Sequence, residues 1–398
     1  MKEVIVHKGP RVQIIDSEIP KPGPGQVVTK VVVSGCNPKD WYVDFPQYLP
    51  WLAWPRSHSL PPKASERRLL WRAPTDPLLT QRQETSNLHA RRPPVNQGDD
   101  ISGIVHAVGA NVSEFRPGDR VAAFHEMMKP GGSYAEYALS WAYTTFRLPE
   151  KTTFEEGAAL PLAAMTAAVA LYARLRLPAP WLPRPTSSDP NTPTPRTPLV
   201  IYGASSAIGS YAIQFAQRSN LHPLICIAGH AGSSHVANLI SPEKGDVVVD
   251  YRRGDDAVVA GIRAALREGE KLEYAFDAVS EKGSYGNICR VLDHETGAIT
   301  LVLPGRKYEG IPAGVRQSVT TVGSVHGDLK DFGFVVFRYI SRGLEEGWFR
   351  AQPQEVVEGG LGGLQEGLER LRDGKVSAVK CEYLVMSSLA PWSEMCGG

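Results

Sequence analysis

The 398-residue chain contains no run of 18 consecutive apolar residues, so the sequence predicts no membrane-spanning helix. Its first residues, MKEVIVHKGPRVQIID, lack the apolar core of a signal peptide and read as a strand, which makes the cytosol the expected compartment. Cysteine is scarce: five residues, at 36, 226, 289, 381 and 396, with no C-x-x-C pair. That pattern argues against a disulfide framework and a structural zinc cluster and fits a reducing compartment. Net charge is nearly absent too, at +1, which gives no general attraction to nucleic acid or anionic membrane. No internal repeat is present. What remains is the composition of a soluble globular protein, 42% hydrophobic and 21% charged, in a chain long enough for two domains.

Residues 1–45 read as β-structure: KEVIVH, RVQIID and QVVTKVVVSG are short, valine-rich and separated by Gly/Pro turns. Residues 98–149 continue in kind, with ISGIVHAVGANV, DRVAAFHE and SYAEYALS divided by RPGDR and KPGGS. Between the two blocks lies a foreign segment, 51–92, with no Gly, Val, Ile, Phe or Tyr, seven Arg, one Lys, three Trp and three acids. Its local excess of positive charge and its aromatics fit an arm that touches RNA or DNA. Its lack of strand formers and of a helical period fits a disordered insertion such as a translated intron, and FPQYL would join PPVNQGDD smoothly without it.

A helical stretch begins near Thr153, a good N-cap, with Glu155 and Glu156 in the first turn. A proline-rich stretch, 178–198, follows. Strands and helices then alternate from LVIYG to AITLVLPG, a rhythm that predicts a parallel sheet with crossover helices. The tail supplies two helices and a last strand, CEYLV.

The chemistry-bearing motif is IYGASSAIGSYAIQFA. An apolar strand runs into GASSAIGS and a helix starts at once, the arrangement that offers backbone N–H groups and a positive dipole end to a pyrophosphate. Gly203 permits the turn, Gly209 lets the helix approach the sheet, and Ser205, Ser206, Ala207 and Ile208 fill the cradle between them. An ordinary strand–turn–helix reads the same way in isolation. The next strand ends in Ala228, Gly229 and His230 without the acid that would hold both ribose hydroxyls of NAD. Gly229, His230, Ser233 and Ser234 suit a 2′-phosphate, so NADPH is the expected cofactor, although His230 equally suits a solvated loop.

Taken together, SGCNPKD, GDDISGIVHAVGANVSEFRPGDRV, GGSYAEYAL, ALPLAAMTAAVALY, GASSAIG and GKVSAVKCEYLV resemble the medium-chain dehydrogenase/reductase superfamily. The similarity is to its zinc-free, quinone-oxidoreductase-like branch, and within that to fungal trans-acting enoyl reductases. The resemblance implies an α/β fold: a Rossmann doubly wound parallel sheet plus a GroES-like β-domain. It divides the chain into a catalytic domain at 1–160, a cofactor domain at 161–312 and a return to the catalytic domain at 313–398. Aligned on the turns that hold zinc in related enzymes, this chain has Asn37 for the cysteine and Asp99 for the histidine, Cys36 sits one place early, and no metal site is expected.

The resemblance implies reduction of an activated C=C, as in an enone or enoyl thioester, or of a quinone, with a polyketide synthase as a conceivable partner. Asn37, Lys39, Tyr42 and Thr166 fall on the catalytic motifs, with Tyr42 where many relatives carry lysine. Tyr251 matches the adenosine end of the cleft, and Val302 and Leu303 line the nicotinamide pocket. Plainer roles compete for several: Lys39 as a surface charge, Asp40 as a cap of its own turn, Thr166 as a helix residue bonding its own backbone, Tyr251 as packing on the sheet. A non-catalytic NADPH- or RNA-binding relative, or a chain inactivated by the 51–92 insertion behind Tyr42, stands as the alternative. Monomer and homodimer are both compatible with the sequence.

Overall fold

The computed structural model describes residues 1–7, 9–41, 95–182 and 196–385. Tyr42, the 51–92 segment, most of the proline-rich stretch and Cys396 lie outside the described residues.

The first half builds an antiparallel unit from strands β1 (Lys2–His7), β2 (Arg11–Asp16), β3 (Gln26–Gly35), β4 (Asp100–Val108), β5 (Arg120–Phe124), β6 (Tyr137–Trp141) and β7 (Thr145–Arg147). β1 and β2 form a separate hairpin. Strand β3, buried along nearly its whole length, pairs with both β4 and β6, which explains its richness in valine.

The second unit is a six-stranded parallel sheet of β8 (Leu199–Tyr202), β9 (Leu224–Ala228), β10 (Val247–Asp250), β11 (Tyr274–Asp277), β12 (Ala298–Leu301) and β13 (Arg316–Val319). Its order, β10-β9-β8-β11-β12-β13, reverses direction between β8 and β11. That is the doubly wound arrangement, whose ligands lie beyond the strand C-termini at the reversal. Strand β13 carries the sheet past residue 312, where the sequence placed a domain boundary. The chain then returns to the first unit through β14 (Gln354–Val357) and β15 (Lys380–Leu384), completing the order β14-β15-β3-β4-β5-β7.

The helical stretch after Thr153 is not continuous. Thr153 caps α1 (Phe154–Ala158) with a full capping box, its hydroxyl taking the Glu156 N–H while the Glu156 carboxylate takes the Thr153 N–H. Pro161 then opens α2 (Pro161–Ala168), whose residues are all buried and which loosens into π-type turns over Val169–Arg174. Helices α3 (Ala207–Arg218) and α4 (His230–Ala237) follow β8 and β9. The largest core cluster joins both units, linking Phe124, Phe146, Met165, Tyr211, Phe276 and Phe337. Among the described residues no helix is long and apolar enough to cross a membrane.

Candidate active site

The GASSAIG turn sits at the end of β8, at the sheet reversal. Gly203 has a φ of 77°, and a Cβ there would come within 2.8 Å of Val279 after β11. A Cβ on Gly209 would lie 2.3 Å from the Gly203 carbonyl oxygen and 2.7 Å from Ala204 Cα, so α3 begins in contact with the backbone of the turn. Ser206 is the N-cap of α3: its Oγ accepts the Gly209 N–H at 3.1 Å, which leaves its hydroxyl proton free to donate. Ala207 and Ile208 open the helix, half-buried. Ser205 packs against α4, where a Cβ on Gly232 would overlap its side chain.

Helix α4 begins earlier than the sequence pattern indicates. Gly229 is its N-cap and His230 its first residue, exposed and helical rather than part of a loop. Ser233 donates its hydroxyl to the His230 carbonyl at 2.7 Å, and Ser234 is exposed. A Cβ on Gly229 would meet the Tyr251 ring at 3.0 Å and Arg252 Nε at 3.2 Å. Tyr251 thus stands beside the end of β9, 45% exposed, rather than packed on the sheet. Arg252, which sequence reasoning missed, shares that position. Val302 is held by its N–H on Ser280 Oγ at 2.8 Å, and the Leu303 carbonyl accepts from Tyr308 at 2.6 Å.

The NPKD turn forms one helical turn over Pro38–Trp41 after β3. Asp40 is its cap, taking the Asn37 N–H at 2.7 Å and the Tyr134 hydroxyl at 2.5 Å. Lys39 is no free surface charge: Nζ donates to the Gln97 carbonyl at 2.9 Å and lies 2.6 Å from Asp40 and 2.7 Å from Asp99. Burial pulls its pKa down, but those two carboxylates more than reverse this, and the ammonium stands above the ordinary lysine range. Asn37 is buried, donating from Nδ2 to Asp100 at 2.9 Å and accepting from Lys380 at 2.8 Å. Thr166 donates its hydroxyl to Leu162 O at 2.7 Å, the plainer of its two expected roles, yet its lone pairs stay available as acceptors. Asp100 and Lys380 were not legible as a pair because 280 residues separate them.

Cys36, Asp99 and Asp100 do not converge. Cys36 Sγ approaches the Tyr383 hydroxyl at 3.5 Å, Asp99 meets Lys39, and Asp100 meets Lys380 at 2.6 Å. Among the described residues no group of three or more His, Cys, Asp or Glu is placed to hold a metal ion.

Burial pushes the Asp99 carboxyl up to about 7, with Lys39 opposing and Asp40 assisting. A carboxyl that holds its proton more tightly in the folded state costs stability as pH rises from its ordinary 3.8 towards 7, and nothing further above 7. Asp99→Asn should therefore flatten the stability–pH curve between those limits in urea titrations. An unchanged slope in the variant would show that Asp99 does not carry this proton.

The parallel sheet, its reversal-point turn and the mostly antiparallel second sheet together define a dehydrogenase/reductase architecture. Residues 73–150 match the alcohol dehydrogenase GroES-like domain. The chain is 53% identical to the trans-enoyl reductase fsr4 of Gibberella fujikuroi over 359 residues, covering 90% of this chain and 91% of that one. Among solved structures it is similar to an alcohol dehydrogenase superfamily protein from Novosphingobium aromaticivorans, with TM-score 0.69 and 18% identity over 97% of this chain and 99% of the other. It is also similar to CurK enoyl reductase, with TM-score 0.65 and 16% identity over 96% of this chain and 98% of the other. The chain belongs to the medium-chain dehydrogenase/reductase superfamily, with the fungal trans-enoyl reductases.

Proposed function

We propose that this chain is an NADPH-dependent, zinc-independent reductase of an activated carbon–carbon double bond, with an enoyl thioester presented by a polyketide synthase as the preferred substrate class. The observation that carries the reading is the turn at the sheet reversal, where Gly203 turns with a φ of 77° and glycine at 209 lets α3 begin directly on the backbone of the turn. Gly203, Ser205, Ser206, Ala207, Ile208 and Gly209 would hold the pyrophosphate, with the first turn of α3 supplying N–H groups. Gly229, His230, Ser233, Ser234, Tyr251 and Arg252 would surround the adenosine 2′-phosphate. Val302, Leu303 and the acceptor lone pairs of Thr166 would flank the nicotinamide, the last suited to a carboxamide NH₂. A reduced nicotinamide bound there supplies hydride to an electron-poor carbon.

The chain's own residues answer the charge that then develops on the substrate's carbonyl oxygen. Asn37 is the donor assigned to that oxygen, since one of its N–H bonds is left unused by Asp100. Lys39, held by two carboxylates with a raised pKa, keeps its proton and acts through its charge. The proton for the α-carbon falls to Tyr42. Zinc independence is supported by the donor set: Asn37 and Asp99, at the places of the zinc ligands in related enzymes, are bonded to Lys380 and Lys39 instead.

Fluorescence titration with NADPH and NADH, followed by assay with a crotonyl thioester, tests the reading. Micromolar NADPH binding with weaker NADH binding and thioester-dependent NADPH oxidation is the expected result; a preference for NADH would refute the cofactor assignment. Arg252→Ala should weaken NADPH about tenfold, the worth of one charge-assisted hydrogen bond, and leave NADH unchanged. Equal weakening of both cofactors would remove Arg252 from the 2′-phosphate site.

A further inference from the structure

The side chain of Asn37 has one acceptor and two donor hydrogens. Its Oδ1 faces Lys380 Nζ at 2.8 Å and its Nδ2 faces Asp100 Oδ2 at 2.9 Å. An ammonium can only donate and a carboxylate can only accept, so the amide has one orientation, with a single N–H unspent. Lys380 itself is buried, 2.6 Å from Asp100, whose other oxygen takes the Leu162 N–H at 2.7 Å in the first turn of α2. One carboxylate thereby clasps the NPKD turn, the helix bearing Thr166 and the returning strand β15. The strand packs closely here: a Cβ on Gly35 would lie 2.4 Å from the Ala158 carbonyl oxygen, 2.9 Å from Lys380 Cε and 3.2 Å from Asp100 Cβ. Glu382, two residues along β15 and so on the same face, does not compete for the ammonium. Neither of its oxygens has a hydrogen-bond partner among the described residues, and burial raises its carboxyl well above the usual range.

We infer that Lys380 is a positioning residue for the reduction: by holding Oδ1 while Asp100 holds Nδ2, it locks the Asn37 amide so that the second N–H stays on the substrate's carbonyl oxygen. The inference rests on the reading of Asn37 as that donor. Without the lysine the amide keeps only its Nδ2 contact with Asp100 and is free to tilt about it, carrying the second N–H off the developing negative charge.

A double-mutant cycle in the full chain, with NADPH and a crotonyl thioester, separates this role from a structural one. Lys380→Met should lower kcat about a hundredfold, the worth of one oxyanion donor, with KM for the thioester and NADPH affinity held within about threefold. Asn37→Ala should give a similar loss, and the double variant should be no slower than Asn37→Ala alone. Losses that multiply in the double variant would overturn the inference. Should Lys380→Met fail to fold, Lys380→Arg decides: a donor-only cation should keep kcat within about tenfold of the parent, and a folded arginine variant with a hundredfold loss would count against it. Asn37→Ala at the parental rate would refute the positioning role and leave the reductase reading standing. A parent chain that binds NADPH and reduces no thioester would instead remove the reductase reading on which the inference depends.

Discussion

Asp100→Ala should destabilise the protein by about 3–5 kcal/mol, the cost of leaving a buried charge without its partner. Asp100 is fully buried and accepts three hydrogen bonds, from Asn37, Lys380 and Leu162. Removing it leaves the Lys380 ammonium, itself buried, facing only the Asn37 amide oxygen. The Leu162 N–H, in the first turn of a helix, loses its acceptor at the same time. Asp100→Asn keeps the shape and one acceptor but not the charge, so an intermediate loss is expected. Urea unfolding followed by circular dichroism measures both, as a fall in midpoint without a change in slope. A loss under about 1 kcal/mol for the alanine variant would place the cluster among solvated surface pairs and contradict the burial described above.

Gly209→Ala should abolish tight nicotinamide-cofactor binding, weakening it by about a hundredfold or more, since clearing the overlap means displacing the backbone cradle itself. The atoms that a new Cβ would meet, at 2.3 and 2.7 Å, belong to the main chain of Gly203 and Ala204 and cannot swing aside. Either α3 moves off β8 or the turn opens, and both carry the N–H groups away from the phosphates. Gly286 is the matched control: it lies inside a short helix, Ser284–Cys289, and a Cβ there meets nothing within 4 Å. Gly286→Ala should bind NADPH as the parent does and gain up to about 1 kcal/mol in stability from helix propensity. Full NADPH affinity in Gly209→Ala would show that the cradle is not the cofactor site.

The elements that the sequence made plain are those in which local pattern and tertiary demand agree. Valine-rich KEVIVH and QVVTKVVVSG become strands, Thr153 caps its helix, and GASSAIG becomes the turn between β8 and α3. Strands RQSV and QEVV escaped notice because each lies at the edge of its sheet, where one neighbour suffices and apolar alternation is not required. His230 looked like a loop residue because Gly229 hides the helix start: glycine caps without a side-chain signal. Within the candidate site, the turn residues were legible from spacing, whereas the partners that define their chemistry were not. Nothing near Asn37 in sequence points to Lys380, and nothing near Gly229 points to Arg252; both meetings are products of strand order.

Strand β15 lies between β14 and β3, so the antiparallel sheet draws its interior from both halves of the chain. The parallel sheet, by contrast, is contiguous from Leu199 to Val319. On the ribosome the cofactor-type sheet can therefore close while the Val33–Gly35 end of β3 still presents an open edge, since its neighbour there is translated about 350 residues later. Until then the Asp100 carboxylate lacks its counter-charge and the Asn37 amide oxygen its donor, and that edge is a template for foreign strands. A nascent chain stalled before Lys380 would carry one finished domain and one with an exposed seam, a ready substrate for chaperones and proteases.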